Sequence, residues 1–361
     1  KGTFILMKTK IQDMTSGSPG RLIILFAIPL MLGNICQQLY TMVDTMVVGQ
    51  VAGVEALAAL GAVDFLMWVV TGISTGLTQG FSIQLSQYYG AKDFENLRKS
   101  LAHSYRLTAF IAAGVLILSQ SFASLVLTGL HTPSNIIGMS LLYLRIIFCG
   151  IPATAAYNMF ASALRAMGNS KTPLTAMIIA SVLNVSLDIL FVAGFGWGVA
   201  GAAIATVIAQ SFSAVYCFLI LRRIDIVHLT RADFMPASGM NARLMKLGIP
   251  VVFQNIIIGV GGLVVQYVIN GYGFLFVAGF TATNKLYGLL EMAAISYGYA
   301  IVTYVGQNLG AEKIDRIRKG VRSSMLLSLL TSLIISAAMF LFGKNILSLF
   351  ISGEPQQTQQ V

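Results

Sequence analysis

The second half of the chain repeats features of the first half in the same order. Ile28-Pro29 opens one long apolar segment, and Ile249-Pro250 opens another. Further identical pairs follow both of these starting points, and the spacing between the members of each pair is nearly constant. They are Asn34 and Asn255, Ala58 and Ala278, Ala62 and Ala282, Gln87 and Gln307, Gly90-Ala91 and Gly310-Ala311, and Arg98-Lys99 and Arg318-Lys319. A collinear series of this kind predicts two copies of one structural unit.

The composition indicates that both copies lie in a lipid bilayer. Hydrophobic residues make up 56% of the 361-residue chain and charged residues only 10%, whereas a soluble domain needs roughly a quarter of its residues charged. The formal net charge of +10 is compatible with nucleic-acid binding. However, the charges lie in short loops between apolar segments, so we expect the lipid bilayer, and no nucleic acid, as a partner.

Nine apolar segments are long enough to cross the bilayer, which takes about 20 residues of helix. They lie near residues 22–48, 54–88, 100–128, 134–164, 172–194, 199–221, 243–269, 275–308 and 319–350. The sequence therefore predicts an all-α polytopic membrane protein.

Lysine and arginine residues predict the orientation of these helices. Eighteen of them lie in the N-terminal segment and in every second loop after it. The alternate loops, 50–53, 129–133, 195–198 and 270–274, contain none, and Lys344 is the one basic candidate on their side. Because basic loops stay in the cytoplasm, we expect a cytoplasmic N-terminus.

Six predicted helices separate the two repeat starts, and six is even, so both copies enter the membrane in the same direction. A parallel repeat of this kind is typical of transporters whose path runs between the copies. The second copy would need three more helices to match the first, so we expect a C-terminally truncated form of a twelve-helix protein. The predicted divisions are residues 1–20, a cytoplasmic N-terminal segment; 21–222, an N-lobe of six transmembrane helices; 223–242, a cytoplasmic inter-lobe loop; and 243–361, a partial C-lobe of three transmembrane helices.

Two carboxylates within the predicted spans lie beside further polar residues. A carboxylate at such a depth costs about 2.5–3.5 kcal/mol on insertion scales and persists only against protein or water. Asp44 lies on helix one, in a polar stripe that includes Gln38 and Thr41. Asp188 lies on helix five, one turn after Asn184. Helices two and six carry similar polar stripes.

These stripes predict a hydrophilic cavity inside the first half of the chain, to which helix six contributes Thr206 and Gln210. Burial in such a cavity disfavours the charged form of Asp44 and Asp188, so that a proton can bind and leave. Either acid can instead ligate Na⁺ together with amide and hydroxyl oxygens. The alternative is that the two acids only join helices by hydrogen bonds.

Four further charged residues are predicted inside the spans: Asp64, Arg145, Lys285 and Glu291. Asp64 could pair with Lys285 across the interface of the two copies. Arg145 could neutralise a carboxylate or contact a substrate. The sequence leaves these roles open.

Signatures of an enzyme or a resident cofactor are missing from the sequence. It contains no phosphate-binding loop, which excludes ATP as the direct energy source. Its three cysteines and three histidines show no metal-ligand spacing. We expect no enzyme activity, no cofactor, and no metal beyond Na⁺ at Asp44 and Asp188.

Three stretches resemble one known family of membrane proteins. Residues 26–62 read FAIPLMLGNICQQLYTMVDTMVVGQVAGVEALAALGA and resemble the opening of a MATE (multidrug and toxic compound extrusion) transporter. Residues 305–320 read VGQNLGAEKIDRIRKG and resemble the matching stretch of the second lobe of that family. Residues 164–173 read LRAMGNSKTP and resemble its loop between helices four and five. The resemblance covers the chain from about Met14 to its end.

The resemblance implies a twelve-helix exporter with two six-helix lobes around a central cleft, which exchanges amphipathic organic cations for inward H⁺ or Na⁺. In the DinF-like branch, an acid on helix one and an Asn-x-x-x-Asp motif on helix five line the cation-coupling cavity. Asp44, Asn184 and Asp188 match those positions, and Thr206 matches a polar member on helix six. The NorM-like branch carries acids on helices seven and ten instead, and helix seven here has no carboxylate.

We therefore expect a secondary active multidrug efflux transporter, a monomer in the plasma (inner) membrane, with small-molecule drugs and organic cations as partners. Gln38, Thr41, Asn158 and Gln210 are the predicted lining of the substrate cavity. Two alternatives stay open. One is a lipid-linked oligosaccharide flippase of a related family, which would be expected to carry a more cationic cavity. The other is a passive channel or a non-transporting membrane scaffold.

Overall fold

The computed structural model describes residues 11–130, 132–270 and 274–347, and this part of the chain is helical without a strand. The helices are α1 Pro19–Val51, α2 Val54–Gly61, α3 Asp64–Gly90, α4 Phe94–Gly129, α5 Ile137–Cys149, α6 Ile151–Ala166, α7 Lys171–Asp188, α8 Gly198–Leu221, α9 Met240–Asn270, α10 Phe274–Gly310 and α11 Ile314–Leu347. A π-helix, Ile189–Gly194, continues α7, and two short 3₁₀ helices lie between α8 and α9.

Each of the nine predicted spans coincides with one or two of these helices. Over the described residues, seven helices are long and apolar enough to cross a membrane, and the bent pair α5 and α6 makes an eighth. The predicted fold class, an all-α polytopic membrane protein, is thereby confirmed. The second span consists of α2 and α3, and the fifth ends in the π-helix, so neither is one regular α-helix.

The fourth span bends where a glycine and a proline meet near its centre. The axes of α5 and α6 differ by 46° on either side of Gly150. Pro152, at the start of α6, has no N–H group with which to continue the hydrogen bonding of α5. This span also starts later than the sequence predicts. α5 begins at Ile137 because Pro133 closes a turn, its carbonyl accepting the N–H groups of Ile136 and Ile137.

The two copies of the repeat contact each other through equivalent residues. A Cβ atom on Gly90 would overlap the carbonyl of Gln307, and a Cβ atom on Gly310 would overlap the carbonyl of Gln87. The contact therefore occurs twice, with the roles of the copies exchanged, as a two-fold axis between like surfaces requires. Glycine is needed at both positions because the helix backbones touch there.

The turns that follow these two glycines share an uncommon backbone conformation. Lys92 has a φ angle of 58° and Glu312 one of 57°. Positive φ is found in only a few per cent of residues other than glycine. Since the two residues occupy equivalent positions in the two copies, directly after Gly90-Ala91 and Gly310-Ala311, the duplication extends to the detail of the backbone.

The lobes are joined along α3, which packs against α9 and α10. A Cβ atom on Gly80 would overlap the backbone of Gly248, and one on Gly76 would press on Val252. Small residues allow such close helix contact within a membrane. These contacts lie in the half of α3 that leads to the basic loop at Lys92. Because the basic loops are predicted to face the cytoplasm, we call this end of the molecule the cytoplasmic end, and we call this line of contacts the lobe seam.

Three apolar clusters hold the helices together. One of them, around Phe148, lies within the N-lobe, and a second, around Phe81, extends from the N-lobe to Met240 and Leu244 of α9. The third lies between the lobes, where Phe26 of α1 packs in one cluster with Tyr297 and Tyr304 of α10. α1 therefore belongs to the N-lobe by sequence and also forms part of the interface with the C-lobe.

Candidate functional site

The structure brings the two membrane carboxylates of the N-lobe together between α1, α7 and α8. Asp44 retains 6% of its surface exposed, and Asp188 and Asn184 retain 0%. The two acids are close enough for their charges to act on each other. The sequence pattern thus located three polar side chains that share one buried region.

The local structure around Asp188 places it at an irregular point of the fifth span. α7 ends at this residue and gives way to the π-helix, a type of local widening often found at functional sites. Three aromatic rings, those of Phe191, Phe195 and Trp197, pack together just beyond it, with centroids 5.1–6.0 Å apart. These rings lie at the end of the span beyond the carboxylate, and those of Phe195 and Trp197 are about half exposed.

Two amide side chains near the acids use their nitrogens as donors to other residues and leave their oxygens unpaired. The Nδ2 atom of Asn184 donates to Thr206 Oγ1 at 3.4 Å. The Nε2 atom of Gln210 donates to the Tyr40 hydroxyl at 3.4 Å. The Oδ1 atom of Asn184 and the Oε1 atom of Gln210 are left as acceptors without a partner among the described residues.

The result is a cluster of buried oxygen acceptors, which we call the acceptor cluster. Its members are Asp44 Oδ1, Asn184 Oδ1, both carboxylate oxygens of Asp188, and Gln210 Oε1, and in the described part of the chain none has a hydrogen-bond partner. Leaving one such group unpaired costs about 1–3 kcal/mol, and more if it is charged. A site with several acceptors that no described residue pairs is suited to a bound proton or a small hard cation such as Na⁺.

The hydrogen bonds that a purely structural role would require are not formed. Neither oxygen of Asp188 bonds to a described residue. Neither Asp44 nor Asp188 forms a salt bridge within the described ranges. This geometry favours ion binding over helix joining for the pair.

Three of the four further charges predicted to be buried are exposed, which corrects that prediction. Asp64 begins α3 at the break in the second span, near enough for its charge to act on Asp44. Arg145 faces the groove between α4 and α5, where Gln120 Nε2 donates to its carbonyl at 2.8 Å. Glu291 is exposed on α10.

The remaining charge, Lys285, has a side chain outside the described residues, and so the proposed pair with Asp64 stays a prediction. The errors have one physical cause. Hydropathy gives the depth of a residue along a helix, but it does not give the side of the helix on which the residue lies.

The predicted substrate-cavity residues do not form one group. Gln210 belongs to the acceptor cluster, whereas Asn158 is half-buried and donates its Nδ2 atom to Thr75 Oγ1 at 3.2 Å, joining α6 to α3. Gln38 is half-buried on α1. Thr41 is exposed, with its hydroxyl bonded to its own helix.

The polar residues predicted to form stripes on helices one and two have different hydrogen-bond partners in the structure. Thr71, Thr75 and Thr78 each donate a hydroxyl hydrogen to the carbonyl four residues earlier, at 2.7, 3.1 and 3.0 Å. The stripe on helix two is therefore largely satisfied within its own helix. On helix one, Asn34 reaches the other lobe and donates to Ser296 Oγ at 3.1 Å.

A buried histidine at the inter-lobe loop was not predicted to have a role. His103 on α4 is 2% exposed. Its Nδ1 atom lies 2.7 Å from Asn241 Oδ1 and its Nε2 atom 3.0 Å from the carbonyl of Met235. Arg106 adds a bond to the carbonyl of Phe234 at 2.9 Å. These contacts fasten the loop to the N-lobe, and no local sequence signal indicates them.

Two parallel copies that meet on a shared axis in a polytopic membrane protein are typical of a transporter. Residues 29–190 and 250–356 match the family model MatE. The chain belongs to this family. The family resemblance stated from the sequence is thereby confirmed, whereas the assignment to the DinF-like branch stays a prediction.

Curated relatives and solved structures agree with this assignment. The chain is 31% identical over 343 residues to the probable multidrug resistance protein YpnP of Bacillus subtilis, covering 95% of this chain and 77% of the relative. It is 28% identical over 349 residues to the probable multidrug resistance protein YoeA of the same species, covering 94% and 75%. A MOP superfamily transporter from Pyrococcus furiosus shares the fold with a TM-score of 0.91 at 23% identity, covering 98% and 78%.

Proposed function

We propose that the protein is a secondary active efflux transporter that exchanges amphipathic, mostly cationic organic compounds for H⁺ or Na⁺. The relatives YpnP and YoeA are described as probable multidrug resistance proteins, which supports drugs as the substrate class. The observation that carries the coupling is the acceptor cluster. In this proposal the protein acts as a monomer in the plasma membrane with a cytoplasmic N-terminus, and the coupling ion is its only bound cofactor.

The acceptor cluster gives a physical reason for cation coupling. When both acids are ionised, they repel each other in a region of low dielectric, where charges interact far more strongly than in water. A proton or Na⁺ removes that repulsion and supplies the partner that the oxygens lack. Asp64 at the start of α3 adds negative charge close to Asp44, which favours the arrival of cations.

Helix α1 connects the binding of the cation to the interface between the lobes. Asp44 lies in the acceptor cluster, while Asn34 on the same helix bonds to Ser296 of α10, and Phe26 belongs to the same apolar cluster as Tyr304. A change in the position of α1 upon cation binding therefore acts on the contacts between the lobes. Cation binding would repack α1 against α7 and expel the substrate, and the lobes would rock about their interface.

The test is ethidium efflux from bacteria that lack their own exporters. Asp44→Asn should abolish resistance and efflux while the protein remains in the membrane at the parent level. Glu291→Gln, which removes an exposed acid on α10, is the matched control and should behave like the parent. Efflux by Asp44→Asn at the parent rate would remove Asp44 from the mechanism.

The same assay distinguishes the proposed exporter from a passive channel, a scaffold or a flippase, and distinguishes H⁺ from Na⁺ as the coupling ion. Uphill efflux that collapses with a protonophore or on removal of Na⁺ excludes a passive channel and a scaffold, and also identifies the ion. Selective protection against thermal unfolding by a lipid-linked oligosaccharide, without drug efflux, would support the flippase instead.

A further inference from the structure

The segment that precedes α1 connects both lobes at the cytoplasmic end. We call residues 12–17 the strap. The N–H group of Gln12 donates to the carbonyl of Gly168, in the N-lobe loop between α6 and α7, at 3.2 Å. Further along the strap, the N–H group of Met14 donates to Gln307 Oε1 of α10 at 3.0 Å. The backbone of the strap therefore bridges the lobe seam.

Basic residues of the C-lobe hold the carbonyls of the strap. Arg316 of α11 donates from Nη1 to Gly17 at 2.9 Å and from Nη2 to Met14 at 3.3 Å. Lys313 donates from Nζ to the carbonyl of Thr15 at 2.9 Å. Hydrogen bonds from charged donors are stronger than neutral ones. The strap is thus bound to the C-lobe through its backbone.

Gln307 links three parts of the molecule through one side chain. Its Oε1 atom accepts the bond from Met14, and its Nε2 atom donates to the carbonyl of Ala166 in the N-lobe at 2.8 Å. The residue is 0% exposed, as is Asn308, which donates to the carbonyl of Met14 at 2.9 Å and accepts from Arg316 Nε at 3.0 Å. Buried amides with all partners in place specify one arrangement of the surrounding segments.

The Met14 side chain anchors the strap in the apolar cluster between the lobes. It is 0% exposed and lies in the same cluster as Phe26 of α1 and Tyr304 of α10. On the other side, Gly168 has a φ angle of 90°, and a Cβ atom there would overlap the carbonyl of Gln12. The strap therefore fits closely against both lobes.

We infer that the strap, with Gln307 and Arg316 as its positioning residues, forms a gate that keeps the cytoplasmic end of the lobe seam closed. The glycine contacts of α3 close the seam at this end, and the strap lies across them. Any separation of the lobes at this end has to part Ala166 from Gln307 or release Met14 from the C-lobe. Because α1 follows the strap directly, release of the strap also frees the cytoplasmic end of α1.

The inference concerns a conformational step and holds whatever substrate is carried, so its test uses no transport. The reporter is Met14→Cys in protein whose three native cysteines are replaced by serine. Inverted membrane vesicles expose the cytoplasmic end to a membrane-impermeant maleimide, and the rate of labelling is measured. A second reporter, Ser86→Cys, reads the lobe seam itself, because Ser86 is buried on α3 against Gly306 of α10.

Arg316→Ala should accelerate the labelling of both reporters about five- to tenfold. A tenfold change corresponds to about 1.4 kcal/mol, a modest net loss for the three hydrogen bonds of the Arg316 side chain, because water replaces them when the strap is released. Arg318→Ala removes an exposed arginine from the same helix and should label at the parent rate. Arg316→Lys should restore part of the protection, because it keeps the charge but donates from a single point.

Gln307→Ala is an independent variant that breaks the link to Ala166 without changing a charge, and it should accelerate both reporters as well. Lys313→Ala changes an exposed residue, so it should fold even if Arg316→Ala does not, and we expect about twofold faster labelling. Labelling of Met14→Cys alone, with Ser86→Cys unchanged, would show that the strap detaches without opening the seam and would overturn the inference. Unchanged labelling of both reporters in all three variants would overturn it as well.

Discussion

Replacement of Asp188 by asparagine should stabilise the protein and abolish its transport. Asp188 is 0% exposed, and neither of its oxygens has a hydrogen-bond partner among the described residues. The amide removes a buried charge and supplies two N–H donors beside Asp44 Oδ1, Asn184 Oδ1 and Gln210 Oε1. The substitution keeps the size of the side chain, so packing should change little.

The magnitude follows from the unpaired oxygens. Each buried acceptor that gains a partner contributes about 1–3 kcal/mol, and we expect a gain of that order in the free energy of unfolding. For a chain of this size, the corresponding rise in Tm is about 1–1.5 °C per kcal/mol. The rise should be greatest in buffer without Na⁺ and at alkaline pH, where both acids of the parent are ionised and no cation fills the acceptor cluster.

The assay compares thermal unfolding and ethidium efflux for the parent, Asp188→Asn and Glu291→Gln. Acid or Na⁺ should raise the Tm of the parent, because either neutralises the acceptor cluster, and should leave that of Asp188→Asn nearly unchanged. A gain in stability together with a loss of activity is the expected behaviour of a functional site. A fall in stability of about 3 kcal/mol, the cost of breaking buried hydrogen bonds, with efflux retained would show that Asp188 only joins helices, and would refute the reasoning.

Three further predictions test other parts of the structure. Gly80→Ala should weaken the lobe seam and speed the labelling of Ser86→Cys, because its Cβ atom would overlap Gly248. Gly114→Ala is the control, since its Cβ atom would meet no atom within 4 Å, and it should label at the parent rate. Equal labelling rates in the two variants would contradict the close contact at the seam. His103→Ala should speed tryptic cleavage of the inter-lobe loop severalfold, since it removes two contacts at 2.7 and 3.0 Å. His228 is exposed, so His228→Ala should be cleaved at the parent rate. Unchanged digestion of His103→Ala would show that His103 does not hold the loop against the N-lobe. Burial alone would raise the pKa of Asp13, but hydrogen bonds from Thr15 and Ser16 and the charge of Lys313 outweigh it and hold the pKa below its ordinary 3.8. The stabilisation by this carboxylate is therefore fully present above pH 3.8 and lost only at lower pH. The labelling rate of Met14→Cys, divided by that of glutathione at the same pH to correct for the thiolate fraction, should therefore not vary between neutral and mildly acidic pH. A marked change in this ratio would show that another group controls the strap.

Much of the fold could be predicted from the sequence because the bilayer leaves few choices. Long apolar segments have to form helices that satisfy their own backbone groups, and the nearly constant spacing of the repeated pairs indicates how the copies are related. The predicted family and fold class are confirmed. The break before Asp64 and the late start of α5 were missed, because turns at Ala62 and Pro133 interrupt segments that remain apolar.

The acceptor cluster was predictable in part. A carboxylate in a membrane span is costly enough to identify Asp44 and Asp188 from position alone. Gln210 lies with these acids, whereas Asn158 does not. This difference depends on which side of α8 and of α6 faces the acids, and the spacing in the sequence does not determine that side. The role proposed for these residues still rests on geometry and remains a prediction.

The strap could not be found in the sequence because its contacts join residues from opposite ends of the chain. Met14, near the N-terminus, bonds to Gln307 in the second copy of the repeat. Gln307 was visible as one half of a repeated pair with Gln87, but the repeat gives no information on a partner outside both copies. Backbone groups of the strap make most of its hydrogen bonds, so the identity of its side chains gives little indication of these contacts.

Reconstitution of the purified protein in liposomes tests the coupling most directly. With an imposed inward gradient of H⁺ or of Na⁺, one of the two ions should drive ethidium against its own gradient. The variant that carries both Asp44→Asn and Asp188→Asn should lose this uphill movement entirely, while Glu291→Gln keeps it. Gradient-driven movement in the double variant at the parent rate would contradict the assignment of the acceptor cluster as the coupling site.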